Sequence, residues 1–140
     1  MNQETQVLFN CIEKGSPEER LHTLLDIGDN IEFGYYKPGV LPEVVQVLVN
    51  SLTREKDTKA RRLIFRDISA AYTRKADLSS VEYEPLCNTL RDADPNFICN
   101  VLYLLSMTHT KKYIAIASRY LDHPDEMVRR EALSAYSSLQ

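Results

Sequence analysis

The chain has 140 residues, 44% hydrophobic and 26% charged, enough for one ordinary domain to bury a core without metal or disulfide support. That balance, with no long apolar run, argues for a soluble globular chain and against a disordered or membrane-spanning one. The net charge of −3 hides a basic middle: residues 54–75 hold eight bases and three acids, inside an otherwise acidic chain that is not built as a general nucleic-acid binder.

Helical periodicity runs through nearly the whole sequence, and no stretch alternates cleanly enough for a strand, so the expected class is all-α. A first helix spans about residues 3–13, with Val7, Leu8, Cys11 and Ile12 on one face and Gly15 ending it. Ser16-Pro17-Glu18-Glu19 marks the next start with a cap serine, a first-turn proline and a capping-box glutamate. That helix presents Leu21, Leu24, Leu25 and Gly28. Phe33-Gly34-Tyr35-Tyr36-Lys37-Pro38-Gly39 then forbids a continuous helix. Helices are expected again from Pro42 to about Leu52, from an Asp57 cap to about Arg74, and from about Ser80 to Leu90. Three more follow: Asp94-Pro95 to about Thr108, about Thr110 to Leu121, and a closing helix started by Asp122 and Pro124. The count is eight short helices in antiparallel pairs.

Cys11, Cys87 and Cys99 are odd in number and far apart, which suits free, mostly buried thiols. With His22, His109 and His123 they form no metal-ligand spacing, so neither metal nor cofactor is expected. The segment MNQETQVLFNCIEK has no basic leader followed by an apolar stretch, and the expected compartment is the cytoplasm.

The second helices of the pairs repeat one another. Ala60 to Phe65 aligns with Phe97 to Leu102 and with Val128 to Leu133, after which Ile68, Leu105 and Tyr136 coincide. Thr23, Leu24 and Ile27 fit the first pair more loosely, and the spacings of 41, 37 and 31 residues lie in the range of helical repeats. At about 100° per residue, Val128, Ala132, Ala135, Tyr136 and Leu139 share a face with Arg129 at its edge. Ala60, Ile64, Ile68 and Ala71 do the same with Arg61 at the edge. Asp57 and Asp125 precede those arginines by four residues, the spacing at which helix side chains meet.

Leu121-Asp122-His123-Pro124-Asp125-Glu126-Met127-Val128-Arg129-Arg130-Glu131-Ala132-Leu133 resembles the second half of a HEAT repeat: a leucine, an Asp/Pro turn, then Val-Arg followed by Ala and Leu. The likeness continues at Asp57 to Ile68 and more loosely at Asp94 to Leu105, where Ile98 stands in the arginine's place. It implies an α-solenoid of about four antiparallel helix pairs wound into a right-handed superhelix, with Asp57, Arg61, Asp125 and Arg129 as structural braces between repeats.

Stacked repeats leave a surface on which the second helices lie side by side. Opposite the apolar faces stand Lys59, Arg62 and Arg66, then Cys99, Tyr103 and Ser106, then Met127, Arg130 and Ser134. The bland alternative is a solvated face, but tyrosine and arginine are the residue types most used as interface anchors. The Tyr35-Tyr36 loop is a second candidate, either tucked back as a cap or projecting for recognition. No nucleophile with a base, paired carboxylates, phosphate-cradling glycine loop or metal cluster is visible, so a non-enzymatic binder is expected. In size, architecture and composition the chain resembles small helical-repeat immunity proteins of bacterial toxin–immunity systems, which bind and block a toxin domain. That resemblance implies a protein partner, such as a toxin domain; a monomer with no membrane association is expected as well. The alternatives are a generic adaptor, or a nucleic-acid binder whose basic stripe resembles the DNA-facing surface of HEAT-like DNA glycosylases, which hold a flipped or damaged base with tryptophans and an aspartate; this chain has no tryptophan.

Overall fold

The computed structural model describes residues 2–140, and among them the chain is all-α, with eight α-helices and no strand. The helices are α1 (Gln3–Lys14), α2 (Pro17–Glu32), α3 (Leu41–Leu52), α4 (Thr58–Ala71), α5 (Glu84–Cys87), α6 (Pro95–Met107), α7 (Ile114–Ser118) and α8 (Glu126–Leu139); a 3-10 turn over Lys111–Tyr113 leads into α7. No helix among the described residues is long and apolar enough to cross a membrane. The fold divides into two compact units, one ending at Glu82 and the other running from Tyr83 to Gln140.

In the first unit α1 packs on α2 and α3, and α4 packs on α3 and, most extensively, on α2. Helix α3 is the centre: Leu41, Val44, Val45, Val47, Leu48, Val49 and Leu52 are all buried. Four β-branched valines lower its intrinsic helix propensity, and burial on nearly every side overrides that preference. The cores of α2 and α4 are Leu24, Ile27 and Ile31 against Ala60, Ile64, Ile68 and Ala71. In the second unit α6 and α7 both pack on α8. Its core joins Tyr83, Leu86, Phe97, Ile98, Val101, Leu102, Leu105 and Tyr113 to Val128, Ala132, Ala135 and Leu139.

The start signals act as expected in α2, α4 and α6. Ser16 Oγ accepts from Glu19 N–H at 3.2 Å while Glu19 Oε1 accepts from Ser16 N–H, and Asp57 and Asp94 accept from Ala60 N–H and Phe97 N–H. The last helix begins later than expected. Asp125, not Asp122, is its cap, accepting from Met127 N–H at 2.9 Å and Val128 N–H at 3.2 Å, because His123 Nδ1 holds Asp125 N–H in the preceding turn.

Four further expectations need correcting. The stretch from Ser80 to Leu90 is helical only over Glu84–Cys87, and Gln46 of α3 takes up both backbone groups of Glu82 just before it. The stretch from Thr110 to Leu121 opens as a 3-10 turn that buries Tyr113, and it ends in i−3 bonds after Ser118. Helix α4 stops at Ala71, after which Tyr72, Thr73 and Arg74 tighten into the same kind of bonds. Finally, the buried face of α1 carries Thr5 and Ile12 while Val7 is 55% exposed, and α2 buries Ile27 and Ile31 while Leu25 is 43% exposed.

Candidate functional site

The loop between α2 and α3 is fixed at both ends by backbone chemistry. Gly34 sits at φ 71°, the left-handed region open to glycine, and there it terminates α2. Gly34 N–H donates to Ile31 O at 3.1 Å and Tyr35 N–H to Asn30 O at 2.8 Å, the two bonds of a Schellman motif. A third helix-end carbonyl, Glu32 O, accepts from Arg74 Nη1 at 3.1 Å, which brings a cation to the negative end of α2. A side chain at position 34 would press on that guanidinium, since a Cβ there would lie 2.6 Å from Arg74 Nη2. At the far end Val40 and Leu41 N–H both donate to Lys37 O as α3 begins.

This frame separates the two tyrosines. Tyr36 is only 7% exposed; burial pushes its phenol above the ordinary value, with Asn30 Nδ2 placed 3.5 Å from its oxygen. Tyr35 meets the Tyr36 ring edge-on at 5.5 Å and is 64% exposed. Phe33, which sequence reasoning treated only as part of a helix break, is 84% exposed. Two outward aromatics therefore flank a glycine on a hydrogen-bonded loop. Beside them opens a cavity of about 380 Å³ lined by Ile31, Gly34, Tyr36, Pro38 and Leu41 on one side and by Thr73, Arg74, Lys75 and Ala76 on the other. The cavity combines an apolar floor with two cations.

The basic stripe of α4 is exposed at Lys59, Arg62 and Arg66. Arg66 is committed internally: Nε and Nη2 lie 3.3 and 3.1 Å from Asp67 Oδ1. Asp67 is fully buried, and its other oxygen has no hydrogen-bond partner. Burial pushes its carboxyl up to about 7, against the pull of Arg66. Gly28 makes this arrangement possible, because a Cβ in its place would lie 2.5 Å from both Asp67 Oδ1 and Arg66 Nη2.

In the second unit Tyr103 and Met127 are exposed at 49% and 62%, Ser134 is exposed, and Arg130 pairs with Glu126 one turn earlier at 3.0 Å. Leu133, aligned with the buried Phe65 and Leu102, is 59% exposed. The repeat alignment gave this leucine a core position, and Phe33 carried no sequence signal beyond its apolar side chain.

Each of the four brace residues makes at least one bond within its own turn. Asp57 and Asp125 spend their carboxylates on helix caps, while Arg61 Nε donates to Glu55 O at 2.8 Å and Arg129 Nη1 to His123 O at 2.8 Å. Each arginine thus reaches back six residues to tie down the turn before its own helix. Glu55, missed in the sequence, completes the device in the first unit. It is 5% exposed, pairs with Arg20 of α2, and accepts from Lys56 and Asp57 N–H at 3.1 Å.

The three cysteines are free and half-buried rather than fully buried, with burial pushing Cys87 up to about 11. Among the described residues no group of three or more His, Cys, Asp or Glu side chains comes together as a metal-holding set. Comparison with protein-family models finds none that matches the chain, and comparison with curated proteins finds none similar to it.

Proposed function

We propose that this chain is a non-catalytic protein-binding module built from HEAT-like helix pairs, and that it serves as an immunity protein that binds and neutralises a cognate toxin domain in the cytoplasm. The observation that carries the binding reading is the loop Phe33–Gly39. It exposes Phe33 and Tyr35 while its backbone is held by the Schellman bonds and by Arg74. Exposed aromatics on a pre-ordered loop lose little freedom on association, which is how interface anchors gain affinity.

The repeat reading is supported by like helices lying side by side within each unit: α1 with α3 and α2 with α4 in the first, α6 with α8 in the second. The aligned positions Ala60, Phe97 and Val128 are all buried, as are Ile64, Val101 and Ala132. The superhelix and its hand belong to the same proposal.

Co-expression with a toxin domain encoded by a neighbouring gene tests the function. The wild-type chain restores growth if the immunity reading holds, and unrelieved toxicity with soluble chain present contradicts it.

A nucleic-acid reading draws on Lys59 and Arg62, which are exposed with no carboxylate partner among the described residues. Three other bases of the stripe are used within the fold: Arg54 pairs with Glu13, Arg66 with Asp67, and Arg61 holds the Glu55 carbonyl. Retention on duplex DNA that falls with salt and with Lys59 and Arg62 reversed would favour it.

A further inference from the structure

We infer that the cavity beside the Phe33–Gly39 loop receives a short segment of the partner protein in which an apolar side chain stands next to a carboxylate. The inference rests on the protein-binding reading and gives that site its chemistry. Three observations carry it. The floor is apolar and preformed, since Ile31, Tyr36 and Leu41 are 1%, 7% and 3% exposed and belong to the core of the first unit. The volume, about 380 Å³, falls at the small end of ligand pockets, roughly 300–1,000 Å³, which suits one or two residues rather than a folded element. The wall carries Arg74 and Lys75, and among the described residues neither has a carboxylate partner.

The charge decides the occupant. Arg74 gives one Nη to the Glu32 carbonyl and has four further N–H bonds in its planar fork, which suits a carboxylate well. Lys75 adds a second positive charge on the same wall. Two cations beside an apolar pocket repel a basic segment, offer nothing specific to a neutral one, and attract an acid whose neighbour can fill the floor. The Phe33 and Tyr35 rings would then hold the flanking residues of the same segment.

The test is an amide-resonance NMR titration of the full chain with N-acetyl-Leu-Glu-amide and with its Gln counterpart. The expected result is shifts centred on Gly34, Leu41, Thr73 and Ala76, with the Gln dipeptide binding at least about fivefold more weakly. Lys75→Gln should narrow that gap without lowering the melting temperature. Equal binding of the two dipeptides, or shifts centred outside these residues, overturns the inference. Hexanoate binding as tightly as the Glu dipeptide overturns it too, since the cavity would then be a site for small free acids. Phe33→Ala with Tyr35→Ala separates the two claims. If that double variant loses the partner while neither dipeptide binds the wild-type chain, the loop reading stands and the cavity inference falls. If the Glu dipeptide binds and the double variant keeps full affinity for the partner, the loop reading falls and the cavity's preference for a carboxylate stands.

Discussion

Asp67 shows how one residue can set the pH response of a helical unit. Its carboxyl is pushed up to about 7 in the fold from an ordinary 3.8, so between those values the folded chain holds a proton that the unfolded chain has released. Stability is then fully present below the unfolded value and is lost as pH rises toward about 7. The upper limit of that loss is about 4 kcal/mol, at 1.36 kcal/mol for each pH unit of the shift. Asp67→Asn should melt several degrees higher than wild type at about pH 8, and the gap should shrink by more than half near pH 5; a gap independent of pH would contradict the assignment. Gly34 gives a second prediction at this scale. Gly34→Ala forces an L residue to φ 71° against Arg74, and should lower stability by about 1–2 kcal/mol in denaturant titration. The glycine was legible as a helix breaker. The acid was not, since an Arg-Asp pair in a basic stretch reads as surface until Gly28 shows how closely α2 approaches.

Helices α1, α2, α4, α6 and α8 are started by side-chain caps, and α4 and α8 are also tied down from behind by an arginine. Glu55 lies in the turn between α3 and α4, and its carboxylate serves Arg20 and two backbone N–H groups while its carbonyl serves Arg61. Glu55 is buried while Arg20 keeps partial access to solvent, so Glu55→Ala should cost about 2–4 kcal/mol, measurable as a shift in denaturant midpoint. Arg129→Ala, which frees the carbonyls of His123 and Pro124, should cost less, about 1–3 kcal/mol. Helix starts were readable because Ser16, Asp57 and Asp94 act on backbone N–H groups within three residues. Segment 80–90 misled, and the residue that takes up the Glu82 backbone groups, Gln46, lies 36 residues away in sequence. The arginine spacing was visible, but one group that each arginine reaches is a backbone carbonyl, and carbonyls carry no sequence signal.

At the scale of the whole molecule, each of two compact units has its own core of paired helices. The all-α class followed directly from periodicity, and the aligned second helices pointed to the buried positions of α4, α6 and α8. The candidate site was harder to read, because exposure of an apolar residue is decided by what packs nearby. Phe33 and Leu133 look like core residues in sequence and stand in solvent, whereas Tyr36 looks like its neighbour Tyr35 and is buried. The central claim, that this chain holds a protein partner through the Phe33–Gly39 loop, is tested most directly by calorimetric titration of a cognate toxin domain. Phe33→Ala with Tyr35→Ala should weaken binding by about a hundredfold, in line with two aromatic anchors, while leaving the melting temperature unchanged. An affinity equal to that of the wild-type chain would contradict it.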